Sequence, residues 1–317
     1  MSGVQDVTAS PGRCAIIMVL GIRDYKKAKP KILEVCGKLE ALVRSELNRF
    51  PDSATGTVLA FGATAWKKLF KGWPVPEELS LFEPIEGEKH LAPSTPGDLF
   101  IHIRSGRMDV CQELAGIISQ SLDGVVESID ETHGFRNFDG RAMVGFVDGT
   151  ENPTGDDTKE FATIAPDPQK TGKADFSGGS YVLIQKYLHD MKAWEALPVE
   201  EQEKTIGRRK YNDLELSDQA KPENAHNAVT NIKGENGEEL KIVRANIPFA
   251  NASKGEYGTY FLGYAGKFST TKRMLQNMFQ GDPPGNTDRL LDFSRAVTGT
   301  LFFAPAPDYL ALLAEEA

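Results

Sequence analysis

Apolar positions along this chain fall into short blocks whose spacing switches between two periods. Cys14-Ala-Ile-Ile-Met-Val-Leu20 is an unbroken apolar run and predicts a buried strand. From Asp24 to Asn48, residues Ile32, Val35, Leu39, Leu42, Val43 and Leu47 recur at helical spacing. Residues 56–61 predict a strand and 63–69 a short helix. Residues 74–96, rich in Pro and Glu, predict a surface loop. Asp98-Leu-Phe-Ile-His-Ile-Arg104 alternates as a strand does, 110–122 predicts an amphipathic helix, and 124–131 another strand.

The second half echoes the first. Strands are predicted over 180–187, 242–247, 258–264 and 297–303. Helices are predicted over 189–197, 200–205 and 270–280. The order β-α-β-β-α-β therefore occurs twice, which is the split-βαβ or ferredoxin-like unit. Identity between the halves is weak, so the repeat is one of pattern. The predicted fold is α+β, with two ferredoxin-like halves, residues 1–150 and 151–317, whose antiparallel sheets pack together. Residues 134–179 join the halves irregularly. A loop this long inside a compact fold is either functional or a linker.

Composition narrows the class. With 317 residues, 40% hydrophobic and 26% charged, the chain can bury a core and also a large cofactor. The net charge is −9 and the densest basic stretch is only Gly207-Arg-Arg-Lys210, so neither nucleic acid nor an anionic membrane is an expected partner. No apolar run is long enough for a transmembrane helix. The polar stretch Met1–Arg13 carries no secretory signal, so the expected location is cytoplasmic. Cys14, Cys36 and Cys111 have no metal-binding spacing and read as reduced thiols.

Of five histidines, His90 sits in the Pro/Glu loop and is expected to be solvated. His102 faces away from Ile101 and Ile103, and His133 and His189 fall at element ends. His226, in Glu-Asn-Ala-His-Asn-Ala-Val229, has small neighbours that leave room for a planar ligand; a satisfied histidine is the other reading. Asp148 stands between Val147 and Gly149, either thrust into a cavity by the turn or part of a plain Asp-Gly turn. Strand alternation puts Ile242, Arg244 and Asn246 on one face. An arginine there needs a polar cavity or a salt bridge at the sheet edge.

Three segments carry a family resemblance. Gly145-Phe-Val-Asp-Gly149 fits the GxxDG motif of dye-decolorising peroxidases, and the run through Thr150, Glu151, Asn152 and Pro153 resembles that family's distal loop. His226 in Ala-His-Asn resembles the proximal haem ligand, and Arg244 in Val-Arg-Ala-Asn-Ile-Pro-Phe the distal arginine. The chain order Asp, His, Arg matches too, and the short form resembles the bacterial B-type branch. The resemblance implies one haem b per chain, held by His226 in the C-terminal half. It implies that Asp148 works as acid and base on hydrogen peroxide, with Arg244 and Asn246 beside it, and that a high-valent iron then oxidises a small aromatic reductant such as a phenol or dye. It places Gly149, Thr150 and Glu151 at the cofactor, and Phe261 or Leu262 over it; as strand neighbours, at most one of these two can touch it. A carboxylate behind His226 is expected from Asp288, with Asp292 the rival. Arg208 reads as a partner of a haem propionate or as a solvated charge. Trp194, Tyr257 and Tyr260 are candidate electron relays or ordinary packing. A homo-oligomer, dimer or larger, is implied as well. The alternative function is a protein that binds haem or releases its iron without physiological peroxidase work.

Overall fold

A computed structural model describes residues 3–316. Met1, Ser2 and Ala317, where the two expected segments begin and end, lie outside the described residues. The first half runs β1 (Cys14–Ile22), α1 (Tyr25–Arg49), β2 (Gly56–Gly62), α2 (Ala63–Leu69), a hairpin of β3 (Ile85–Glu86) and β4 (Leu91–Ala92), β5 (Leu99–Ser105), α3 (Met108–Ser121) and β6 (Val126–Phe135). Asp24 starts α1 by accepting the amides of Lys26 and Lys27. After α4 (Asp157–Ala162), the second half runs β7 (Ser180–His189), α5 (Met191–Glu195), α6 (Val199–Ile206), α7 (His226–Thr230), a hairpin of β8 (Ile232–Lys233) and β9 (Glu239–Leu240), β10 (Val243–Arg244), β11 (Ile247–Asn251), β12 (Glu256–Ala265), α8 (Phe268–Phe279), β13 (Ser294–Ala296) and β14 (Thr300–Ala304). Helix α9 (Pro307–Ala314) follows.

Both halves are ferredoxin-like. The strand orders β2-β5-β1-β6 and β10-β12-β7-β14 each place the half's second, third, first and fourth strands side by side. The sheets also join at an edge. Phe302 of β14 pairs with Gly62 of β2 and Phe303 with Phe61, which makes one ten-stranded sheet.

Each strand near the centre has two buried faces, which explains why β1 reads as a continuous apolar run. Ile16, Met18 and Leu20 face the core beneath the helices. Ala15, Ile17 and Val19 face a second core that also takes in Val182, Ile184, Leu262 and Phe302. Residues of both halves share that second core, so the two half-sheets pack face to face. His102 points into it, as strand alternation requires. It is only 1% exposed there, and its Nδ1 lies 2.9 Å from the Tyr264 hydroxyl.

One predicted strand is broken. The 242–247 stretch divides into β10 and β11, because the Asn246 side chain takes a ladder position: its Oδ1 accepts the Leu262 amide at 3.3 Å. The predicted 189–197 helix starts later, at Met191, since His189 ends β7 and Asp190 caps α5 through the Ala193 amide.

Candidate active site

Between the second half's sheet and its short helices lies a cavity of about 1010 Å³, the solvent at its open mouth included. Its walls are mostly apolar, with Val144, Phe146, Ile206, Ile242, Phe261 and Leu275 among them. His226, Asp148, Arg244 and Asn246 all reach it.

His226 is the first residue of α7. Helix α7 is docked close to the end of α6 by Gly207, whose φ is +90° and where a Cβ would sit 1.8 Å from the Asn227 amide oxygen. The His226 Nδ1 lies 2.6 Å from Asp288 Oδ2, and Asp288 is fully buried. The other Asp288 oxygen accepts the Leu290 amide at 2.9 Å, at the head of a 3₁₀ turn. The carboxylate therefore draws the ring hydrogen to Nδ1 and leaves the Nε2 lone pair free. Among the described residues Nε2 has no hydrogen-bond partner. An imidazole with one nitrogen anchored and the other bare toward an apolar cavity fits the needs of a haem ligand. Asp292, the rival carboxylate, is taken by His90 at 3.2 Å. His90 is thus paired and mostly shielded, where solvation was expected.

Another part of the lining is built by the loop after β6. Asp148 donates its amide to the Gly140 carbonyl at 3.0 Å, and Gly149 follows at φ +85°, a turn that suits glycine. The Asn246 Nδ2 donates to both oxygens of the Asp148 carboxylate, at 3.2 and 3.3 Å. Because Asn246 Oδ1 faces the Leu262 amide, its NH₂ must face the acid.

Arg244 is held from an unexpected quarter. Asn152 donates to the Arg244 carbonyl at 2.7 Å, and its Oδ1 accepts the Arg244 amide at 3.0 Å and Nε at 3.3 Å. No carboxylate pairs with this guanidinium among the described residues, so the sheet-edge salt bridge is not what keeps it there. Asn152 lies inside the loop that carries the resemblance, but its bond to Arg244 spans 92 positions and left no local signal.

Asp148, Arg244 and Asn246 also line a second, more polar pocket on the outer side, shared with Gly149 and Asn152. The three polar residues thus stand between an apolar chamber and a polar approach to the surface.

Other expected residues fall elsewhere. Phe261 lines the cavity. Leu262 does not: it is fully buried on the reverse face, in the core between the sheets. Arg208 neither lines the cavity nor stands free in solvent; it is held by Asp213 at 3.0 Å and Glu151 at 2.6 Å. Thr150 donates to Asp213 at 2.5 Å, and Glu151 lines an adjoining pocket with Glu215, Glu239 and Arg244. Trp194 is buried behind the cavity wall, with its Nε1 donating to the Val144 carbonyl at 2.9 Å. Tyr260 faces the inter-sheet core, and Tyr257 is half-buried away from the cavity.

Two residues were missed. Tyr187 lines the cavity and donates to Gln185 at 2.8 Å; burial, with the Asp288 charge adding to it, pushes its phenol far above the ordinary range. His189 is half-buried in the same wall, its ring between Ser294 Oγ at 2.7 Å and Thr259 Oγ1 at 3.0 Å. Burial holds its pKa down at about 4, so the ring is neutral near pH 7.

Comparison with known proteins agrees with this arrangement. The N-terminal family model of Dyp-type peroxidases matches residues 6–136 and the C-terminal model residues 139–309. A dye-decolorizing peroxidase of Mycobacterium tuberculosis is 51% identical over 87% of this chain and 81% of its own. The dye-decolorizing peroxidase structure from Bacteroides thetaiotaomicron superposes with a TM-score of 0.93 at 56% identity, covering 99% of both chains. DyPB from Rhodococcus jostii superposes with a TM-score of 0.92 at 43% identity over 97% of both chains, and a variant of it was solved in complex with heme. With both family models matched and half-identical relatives along most of its length, the chain belongs to the Dyp-type peroxidase family and is a peroxidase oxidoreductase.

Proposed function

We propose that the cavity takes up one haem b per chain, which His226 would hold through its Nε2, and that Asp148, Arg244 and Asn246 act on hydrogen peroxide from their own part of the lining. The observation that carries this reading is the single cavity that has a bare imidazole nitrogen at one wall and an acid with an unpaired guanidinium at another. When bound, the haem supplies an iron that passes electrons from an aromatic reductant to peroxide. Asp148 takes the proton from the nearer peroxide oxygen and returns it to the oxygen that leaves as water. Arg244 offers fixed positive charge to the departing oxygen. Asn246 holds the Asp148 carboxylate in place. The polar outer pocket, which ends on these same residues, is a suitable entry for peroxide. Asp288 keeps the His226 hydrogen on Nδ1 and makes Nε2 a stronger donor to iron.

The assembled acid, amide and guanidinium argue against a protein that only carries haem or releases its iron, because such a protein has no use for them. A homo-oligomer and a cytoplasmic location complete the reading. The strongly exposed Phe138 and Tyr211 support self-association, and the three free thiols support a reducing compartment. Sedimentation and cell fractionation test these two points.

The test of the main proposal is a visible spectrum before and after one equivalent of peroxide, followed by steady-state oxidation of a phenolic dye. The expected result is a Soret band that shifts with peroxide, and dye turnover that needs peroxide. Turnover that survives Asp148→Asn and Arg244→Leu together at the full rate overturns the assigned roles.

A further inference from the structure

The wall behind the cavity separates it from a surface groove, and His189, Leu291 and Ser294 border both. Strand pairing builds the polar part of this wall. Ser294 of β13 stands opposite His189 of β7. Thr259 of β12 stands opposite Tyr187, two positions before His189 and on the same strand face. The His189 ring is thereby caught at both nitrogens. Its Nδ1 lies 2.7 Å from Ser294 Oγ and its Nε2 3.0 Å from Thr259 Oγ1, and Thr259 borders the cavity. An unbroken chain of hydrogen bonds thus crosses a wall whose other shared member, Leu291, is apolar. Lys89, Asp190, Asp292 and Arg295 border the groove, and Asp148, Arg244 and His226 border the cavity. Among the described residues none of these charged or titratable groups is hydrogen-bonded to the His189 ring.

We propose that Ser294, His189 and Thr259 form a proton relay that carries protons from water in the groove into the cavity during the reductive half of the peroxidase cycle. The proton count calls for such a path. Asp148 moves a proton that peroxide itself brings, which completes the first water. The second water needs two electrons and two protons from outside. Two phenols supply the electrons and shed two protons to solvent, so the sum balances once two protons enter the cavity. A serine or threonine hydroxyl both donates and accepts, and so does a neutral imidazole. Ser294 passes its hydroxyl hydrogen to Nδ1 and takes another from groove water. The ring releases its Nε2 hydrogen to Thr259, whose own hydroxyl hydrogen passes into the cavity. Groove water, which the ring also borders, returns it to its first tautomer. Burial holds the ring neutral near pH 7, the form that can accept at one nitrogen while donating from the other.

The relay rests on the haem-peroxidase reading, and its test separates the two. Thr259→Val keeps the shape and deletes the inner hydroxyl, Thr259→Ser restores a hydroxyl, and His189→Gln removes the group that changes protonation. In the haem-loaded enzyme, mixing with peroxide should proceed at the wild-type rate in all three, because that step takes no proton from outside. Reduction by a saturating phenol should slow by about 10²-fold in Thr259→Val and His189→Gln, with a larger solvent deuterium isotope effect, and stay near wild type in Thr259→Ser. In the haem-free wild-type chain, nitrogen NMR should show the His189 ring exchanging between its two tautomers. Wild-type reduction rates in Thr259→Val and His189→Gln, equal slowing in Thr259→Val and Thr259→Ser, or a ring locked in one tautomer each overturn the relay and leave the peroxidase reading standing. A chain that takes up no haem overturns the peroxidase reading itself.

Discussion

The two halves have the same strand order and opposite interiors. In the first, the 25-residue helix α1 lays Ile32, Leu33, Val35, Cys36 and Leu39 on the outer sheet face, and α3 adds Leu114 and Ile118. That face is filled. In the second half, the connection that corresponds to α1 is residues 190–242, and its only helices among the described residues are α5, α6 and α7, with the β8–β9 hairpin and irregular chain making up the rest. Three short helices cannot cover what one long helix covers, so the sheet face under them carries Tyr187, His189, Thr259 and Phe261 against open space. The part of the lining that carries Asp148, Arg244 and Asn246 comes from the linker between the halves and the broken strand beside it. Breaking one helix of a duplicated fold is thus enough to turn a core into a chamber.

The comparison breaks first under truncation. Ile32→Ala, in the filled half, is expected to cost about 2–5 kcal/mol of unfolding free energy, because its space cannot collapse. Ile242→Ala, in the cavity wall, should cost clearly less in the haem-free protein, since that side chain already borders a void. Urea unfolding of both, with haem removed, checks this. Equal costs mean that the second half is as well packed as the first.

Next comes activity, which the same logic confines to one half. Arg244→Leu and Asp148→Asn are each expected to slow peroxide turnover by about 10²–10³. Ile32→Ala, measured well below its melting temperature, should leave turnover per haem near the wild-type value. Stopped-flow mixing with peroxide separates these outcomes. Asn152→Ala is expected to follow Arg244→Leu at smaller size, since it frees the guanidinium without removing it.

A pH dependence follows from His189. Its pKa in the folded chain, about 4, lies below the ordinary 6.5, so between these values the unfolded chain binds more protons than the folded one. Stability must then fall as pH drops through that window and level off below it, by about 3 kcal/mol at most from this ring. His189→Gln should flatten that slope in urea unfolding measured from pH 7 to pH 4. On the outer sheet face of the first half, Ile16, Leu59, Leu99 and Ile101 are apolar, and burial pushes the thiols of Cys36 and Cys111 packed there upward, away from this window.

Much of this was legible in the residues. The apolar period marked α1, β1, β12 and α8 because those elements answer to local spacing. The alternation around Arg244 placed Ile242, Arg244 and Asn246 on one face even though the strand itself is broken. What escaped was long-range. The β14–β2 pairing joins Phe303 to Phe61, and nothing near either residue encodes a partner so distant. Asn152 grips Arg244, and Asp292 goes to His90, through contacts set only by the fold. His189 read as an element end because the sequence does not say that β7 runs on into a cavity wall. Leu262 and Phe261 differed by one strand register, which alternation could pair but not assign.

The smallest effect probes the anchor of the histidine. Asp288 is buried completely and gives one oxygen to His226 and the other to the Leu290 amide. Asp288→Asn keeps the shape and the bond to Leu290, but it removes the charge that fixes the ring hydrogen on Nδ1. Outer partners of metal ligands typically contribute about 10–100-fold to affinity. Haem transfer to apomyoglobin should therefore quicken by that order, and the iron's reduction potential should rise as the imidazole donates less. A variant that misfolds would lose the 3₁₀ turn and the Soret band together, whereas a variant with intact circular dichroism and a raised potential isolates the electronic role. If potential and haem transfer both stay at wild-type values, Asp288 merely caps the turn. His226 would then owe its orientation to α7 and Gly207 alone.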